Sequence, residues 1–439
     1  MAAGIRQRLQ AIDLLRGAAA LAVMLLHIPH RSPRWGQTDD PWSWLLLPLE
    51  YGGLGVPLFI LLSGFCIHAN TLRSATSPDA ALQPRWGAFW KRRFVRLYPP
   101  YLAAMVLSLG VIALIWYREG PIHSVTAAYA ESGWGRLGAD TVLHLFMVHN
   151  LTADFGMGLG NGPLWSLGME EQLYALYFVF LLVHHRLGWT GLLGLGLGVT
   201  VAWSAWQAWA PRGIGVGYWQ LGGWHLWPFE FWLMWIVGAL TAEAHAGRVR
   251  LPDWCRSAAL GWAAAALYVV LSAPLWLLLV GKASPLPALA QWSDAPVLAG
   301  AVALASWTMV QRLLIIFCFM TLINVLVGRE QRLGPSSGRL SRWLAWVGLF
   351  SYALYLTHVL VIAVAETLFR WHYVDRIQLL PWRFLLYPPL CLGVAWVFFK
   401  LVEERFLHQS ASGSRASSGP ASAPGSLPGP QPASPAQAA

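Results

Sequence analysis

The chain has 439 residues, 56% of them hydrophobic and only 11% charged, with 27 tryptophans and a formal net charge of +10. Soluble domains carry about 25% charged residues, so this composition excludes a soluble enzyme or nucleic-acid-binding module and specifies an all-α polytopic membrane protein. The four cysteines, Cys66, Cys255, Cys318 and Cys391, stand singly in apolar stretches without metal-ligand spacing, so they read as small hydrophobes and no metal is expected.

The first apolar stretch, Ile12 to His30, reads IDLLRGAAALAVMLLHIPH and is interrupted only by Asp13, Arg16 and His27 before Pro29 ends it. It is long, holds an arginine and lacks a small-residue cleavage site, so it reads as a membrane helix and not as a cleaved signal peptide. An arginine within a span costs at least about 2.5–3.5 kcal/mol on insertion scales. Arg16 and His27 are eleven positions apart, which returns to nearly the same helix face about 16 Å further along the axis. One face therefore carries a fixed cation at one depth and a titratable imidazole at another. The alternative is that Arg16 snorkels to a headgroup and His27 is interfacial.

Further apolar segments follow at 53–72, 97–117, 166–185, 190–210, 226–244, 257–280, 307–327, 346–369 and 384–402, which gives about ten crossings. Asp140 to Leu151 is too short to cross and reads as a re-entrant or interfacial helix. The run GMGLGNGP, Gly156 to Pro163, follows it as a flexible turn. With the N-terminus in the cytoplasm, nineteen lysines and arginines fall on the cytoplasmic side and nine on the other, Arg383 among the nine. Both termini are then cytoplasmic, and the net charge is mainly a topology signal. Arg312, within the 307–327 segment, is expected to snorkel outward, with pairing to a carboxylate as the alternative. Residues 1–408 form the membrane domain, and 409–439, rich in Ser, Pro, Ala and Gly, form a disordered cytoplasmic tail.

Three constellations carry chemistry. FWKRRFVRLYPPY, Phe89 to Tyr101, sets Lys91, Arg92, Arg93 and Arg96 at the cytoplasmic end of a helix, at a depth similar to Arg16. Such a cluster suits a polyphosphate, or anchors the chain on anionic lipid. WSLGMEEQLY places Glu170, Glu171 and Tyr174 in a span entering from outside, with Glu170 about 6–8 Å below its Trp165 end; buried carboxylates are functional candidates, and an interfacial pair is the alternative. In SYALYLTHVL, His358 lies near the midplane. These depths put His27, Glu170 and His358 in the outer half and Arg16, Arg93 and Arg96 at the inner end. A group transferred across the membrane needs such a path, from an inner phosphate-binding end to an outer imidazole able to deprotonate a hydroxyl.

IDLLRGAAALAVMLLH, GVPLFILLSGFCI, FWKRRFVRLYPPY, WSLGMEEQLY and SYALYLTH also resemble, in order, the signature stretches of the acyltransferase-3 family of integral membrane O-acyltransferases, over about residues 9–405. The resemblance implies a multi-pass bacterial inner-membrane enzyme that moves an acyl group, usually acetyl, from cytoplasmic acyl-coenzyme A as co-substrate to a hydroxyl of a glycan or glycolipid, with no permanently bound cofactor. It implies His27 as the catalytic base, Arg16, Arg93 and Arg96 as donor-binding residues, and site positions at Tyr174 and His358; Glu170, in the acidic signature, is read as the second catalytic residue, orienting or assisting His27. Some relatives carry a fused extracytoplasmic esterase-like domain; this chain ends in its Ser/Pro/Ala tail, so direct transfer or a separate partner protein is expected. The rival reading is a secondary transporter or exporter of a lipid-linked glycan, whose buried Arg, Glu and His residues would be coupling sites.

Overall fold

The computed structural model describes residues 9–31, 45–73, 82, 84–122, 124–152, 154–209, 226–279, 297–370 and 379–406. The tail at 409–439 and the first eight residues lie outside the described residues. Every regular element among them is helical: α1 (Gln10–Leu26), α2 (Gly55–Arg73), α3 (Trp86–Glu119), α4 (Ser124–Ser132), α5 (Trp134–Leu145), α6 (Trp165–Trp209), α7 (Pro228–His245), α8 (Ala258–Leu279), α9 (Val297–Leu333), α10 (Arg339–Leu349), α11 (Ser351–Phe369) and α12 (Leu380–Phe398), which runs on into a π-helical turn at Phe399–Glu403. A helix satisfies its backbone groups within the segment, as apolar surroundings require. Among the described residues six helical stretches are long and apolar enough to cross a membrane: Leu47–Arg73, Trp86–Glu119, Gly162–Trp206, Ser306–Leu333, Ser351–Phe369 and Leu380–Phe406.

Three boundaries differ from the sequence expectation, each for a local reason. α1 stops at Leu26, with His27 as its C-cap, because Pro29 restricts the residue before it and has no N–H to donate. α6 is two limbs joined at Gly188, whose φ of 64° and ψ of −167° only glycine adopts readily, so the expected 166–185 and 190–210 segments meet without a loop. The expected 346–369 span is broken at Phe350 (φ −116°, ψ 23°), and its first residues belong instead to the separate, amphipathic α10.

α1 lies between two apolar clusters. Ala11, Ile12, Leu15 and Ala19 pack with α2, α6, α7 and α9, whereas Ala20, Val23 and Met24 pack with α3, α11 and α12. Small residues bring backbones together at its flanks. A Cβ built on Gly348 of α10 would stand 1.9 Å from the Asp13 carbonyl oxygen, and one on Gly17 would stand 2.0 Å from that of Leu344. The α2–α7 crossing is built the same way: Gly64 faces the Trp235 carbonyl and Gly238 that of Leu61, each at 2.1 Å from an added Cβ.

Gly348→Val forces α1 and α10 apart and is expected to cost about 3 kcal/mol. Gly110→Ala, where an added Cβ meets nothing within 4 Å inside α3, is the control that does not destabilise. Thermal unfolding of the two purified variants, read by loss of monodisperse protein, checks the difference.

Candidate active site

The C-terminal end of α1 carries an imidazole cluster. His27 Nδ1 is 2.7 Å from the Val23 carbonyl oxygen, and His358 Nδ1, on α11, is 3.0 Å from that of Leu354. A carbonyl only accepts, so Nδ1 bears the hydrogen in each neutral ring and the basic lone pair is on Nε2. The two rings meet edge to face, with centroids 5.0 Å apart, and His358 is 1% exposed. Two residues that the sequence reading did not single out extend the cluster. The His30 ring is 6.5 Å from that of His27, and His30 Nε2 is 2.6 Å from Glu50 Oε1. The signal available for them was a second histidine three positions after His27 and a lone carboxylate in the apolar LLLPLEYGG stretch.

The N-terminal end of α1 carries the arginine cluster. An Arg16 guanidinium N–H donates to Cys66 Sγ at 3.4 Å, and Arg16 feels the charges of Asp13 and Glu170. The Arg93 guanidinium lies 3.4 Å over the Phe89 ring and 5.2 Å from that of Tyr174. Its Nη1 donates to the Phe89 carbonyl at 3.0 Å, while its buried Nε has no hydrogen-bond partner among the described residues. Phe89 stacks on Tyr177 at 5.6 Å, and the Tyr177 hydroxyl is 3.0 Å from His68 Nδ1. His68 Nε2 is in turn 2.9 Å from Glu243, which Arg248 also contacts at 3.1 Å. This buried chain fixes the surface on which Arg93 stacks.

Glu170 belongs to the arginine end, not to the outer-half group expected for it. Ser63 Oγ donates to Glu170 Oε1 at 2.8 Å, and Tyr174, one turn on, donates to the same oxygen. Glu171 lies toward Arg93. The depth expectation assumed that Trp165 sits at a surface. Instead α6 begins deep, behind a buried hairpin in which Leu159, Asn161 and Leu164 have no exposure. The GMGLGNGP run is therefore anchored and is not the flexible turn expected. Leu159 N–H donates to Asp140 Oδ2 at 2.9 Å, Tyr129 donates to the same oxygen at 2.6 Å, and Asn161 Nδ2 donates to the Leu356 carbonyl at 3.0 Å. Asn150 and Gln172 exchange amide hydrogen bonds of 3.1 and 2.8 Å, which ties the hairpin to α6 two residues beyond Glu170.

One residue stands between the two clusters. The Tyr355 ring is 5.9 Å from that of His358, its hydroxyl is 2.6 Å from Ser166 Oγ, and it feels the charge of Glu170. Two further arginines are paired with carboxylates. Arg312 does not snorkel: it pairs with Glu230 and donates to Ser204 Oγ at 2.5 Å, because α6, α7 and α9 converge there. Arg383, counted among the outer-side cations, is fully buried and holds Glu366 in a bidentate pair of 2.8 and 3.0 Å, with Tyr387 donating to the same carboxylate at 2.5 Å. A buried pair of this kind needs such geometry to offset its desolvation. Among the described residues no group of three or more metal-ligating side chains converges.

This arrangement of an imidazole cluster and an arginine cluster on one helix accompanies a family match. The acyltransferase domain of the acyltransferase-3 family matches residues 9–400. The chain belongs to that family. Among its relatives are the peptidoglycan O-acetyltransferase OatA of Listeria monocytogenes, 28% identical over 184 residues that make up 40% of this chain and 25% of that protein; the acyltransferase MdmB of Streptomyces mycarofaciens, 30% identical over 173 residues, 39% of this chain and 38% of that one; and nodulation protein 10 of Rhizobium leguminosarum, 25% identical over 205 residues, 44% and 49%. The matched stretch thus spans a quarter to a half of these relatives' length. No solved structure matches the chain.

The hairpin supplies a pH-dependent test of its anchoring. His149 stacks on His144 with ring centroids 3.6 Å apart, and burial followed by the neighbouring imidazole pushes His149 well below the ordinary histidine range. The unfolded chain takes up a proton near pH 6.5 and the folded chain does not, so stability is full above that pH and falls as pH drops through it. Melting temperatures measured between pH 8 and 5 are expected to decline below about pH 6.5, and His149→Gln is expected to flatten that decline.

Proposed function

We propose that this protein is a membrane O-acyltransferase that moves an acyl group, acetyl by preference, from cytoplasmic acyl-coenzyme A to a hydroxyl of a glycan or glycolipid at the outer half of the bacterial inner membrane. The observation that carries the reading is the placement of two unlike clusters on one helix: Arg16 with Arg93 and Arg96 at one end of α1, and His27 beside His358 at the other, eleven residues or about 16 Å away. The family supports acyl transfer, and the names of OatA and of the other O-acetyltransferases among the relatives support acetyl and a cell-envelope glycan. The excess of lysine and arginine in one set of loops supports cytoplasmic termini and all ten apolar segments crossing.

In this mechanism Arg93 and Arg96 hold the phosphates of the donor, since planar guanidinium groups match phosphate oxygens. The pantetheine arm runs up past Arg16 and the Ser63–Glu170–Tyr174 set, and the thioester reaches His27. The acceptor hydroxyl gives its proton to His27 Nε2 as its oxygen attacks the thioester carbonyl carbon. The new C–O bond forms, the C–S bond breaks, and the coenzyme A thiolate takes the proton from the imidazolium. His358 presents a second Nε2 beside the first and shares the proton. Glu170 keeps the inner arginines in place, which is the role its position supports.

The test is release of coenzyme A thiol by purified protein in proteoliposomes given acetyl-coenzyme A and a glycan acceptor pool. Loss of a general base removes about 10²–10⁴-fold in rate, so His27→Ala is expected to lose turnover by that order while still binding coenzyme A. Arg93→Gln is expected to raise the Michaelis constant for the donor about tenfold, the loss of one charge-assisted contact. Acceptor-independent thiol release that His27→Ala does not change would contradict the reading.

A further inference from the structure

Between Trp86 and Pro99, the stretch of α3 that carries Arg93 and Arg96, the only buried side chain is Phe89. Its ring lies on that of Tyr177 of α6, with centroids 5.6 Å apart and an interplanar angle of 20°, and Trp86 meets the same Tyr177 ring at 6.3 Å. Tyr177 is therefore the surface on which this end of α3 rests. Its hydroxyl is held from behind by His68 of α2. A carboxylate only accepts, so His68 Nε2 carries the hydrogen that Glu243 of α7 receives at 2.9 Å. In the neutral ring Nδ1 then holds the lone pair, and the Tyr177 hydroxyl donates to it at 3.0 Å. Arg248, just beyond α7, contacts the second Glu243 oxygen at 3.1 Å. Tyr177, His68 and Glu243 are all buried, so these bonds form without competition from water. Burying a tyrosine ring does not require such a network, since apolar packing would serve as well. Nor does the network bring α2 and α7 together, because Gly64 and Gly238 already close that crossing.

What the network holds in place is a guanidinium with donors to spare. Arg93 lies 3.4 Å over the Phe89 ring and spends Nη1 on the Phe89 carbonyl, while its buried Nε has no hydrogen-bond partner among the described residues. Stacking on a ring face fixes the plane of a guanidinium and leaves its N–H edge for an anion. We propose that Tyr177 and His68 are positioning residues of the donor site: their hydrogen bond, backed by Glu243, sets the Phe89 ring and through it the direction in which Arg93 presents its N–H edge to a donor phosphate. This rests on the reading of Arg93 as a donor-binding residue. It extends the donor site behind Phe89 to α2 and α7, which carry none of its three arginines. Paired guanidinium–phosphate contacts depend on direction as well as distance. Removing a bond on the far side of Phe89 therefore changes donor affinity without removing a group that meets the donor.

The experiment is equilibrium binding of coenzyme A to the purified full chain in nanodiscs, normalised to folded protein. The variants are Tyr177→Phe, His68→Leu, Arg93→Gln and the two doubles that combine each of the first two with Arg93→Gln. Tyr177→Phe keeps the ring and removes only the hydroxyl; it is expected to weaken binding about threefold, and His68→Leu by the same order. Arg93→Gln is expected to weaken it about tenfold. Because Tyr177 and His68 act through Arg93, neither substitution is expected to weaken binding further once Arg93→Gln is in place. A change that merely loosened the fold would cost the same in both backgrounds, so the missing increment separates positioning from a structural role. If His68→Leu does not fold, Tyr177→Phe carries the comparison alone. Wild-type affinity in Tyr177→Phe, or an equal loss with and without Arg93→Gln, overturns the positioning role and leaves Arg93 in the donor site. Arg93→Gln that binds as tightly as wild type overturns the donor site itself, and the positioning role falls with it.

Discussion

An arginine set within an apolar helix must find counter-charge, and Arg16 is where this protein meets that demand. Its guanidinium draws on Cys66 from α2, Glu170 from α6 and Asp13 from its own helix. Glu170 is in turn held by Ser63 and Tyr174. The glycines at 17 and 348 let α10 press against this level of α1, with backbones in contact. Arg16 is therefore the point at which helix packing and the inner cluster become one problem.

The imidazole cluster obeys a different rule. His27 and His358 each spend one nitrogen on a backbone carbonyl of their own helix, a bond that selects the tautomer and aims the other nitrogen away from that helix. The bond is the same four-residue reach in both, at the C-cap of α1 and in the middle of α11. Between the clusters stand Tyr355 and Ser166, whose hydroxyls are 2.6 Å apart, with the Tyr355 ring 5.9 Å from that of His358.

Much of this was legible in the sequence, for identifiable reasons. The eleven-residue spacing of Arg16 and His27 survives because helix geometry is rigid, and the paired spans around Gly188 appear because apolar length is a strong signal. What failed depended on distances from an assumed surface. Glu170 was placed by counting from Trp165, and the count went astray because the 134–164 segment folds inward and buries the start of α6. Glycine content alone suggested a loose turn there; the Asp140 carboxylate that binds Leu159 lies nineteen positions upstream, and local pattern does not report such a pairing. Arg312 was read by the general habit of charged side chains to reach water, whereas Glu230 holds it in place. Tertiary pairing of buried charges leaves little trace in a single sequence.

The central claim is that the two ends of α1 serve one substrate. The most direct measurement is an experimental structure of the protein with a non-reactive thioether analogue of acetyl-coenzyme A. The account predicts phosphates on Arg93 and Arg96, a pantetheine arm alongside Arg16, and an acyl carbon beside His27 Nε2. An analogue whose phosphates lie on the arginines while its acyl end stays at their level, far from His27, would contradict it, as would one bound away from α1 altogether.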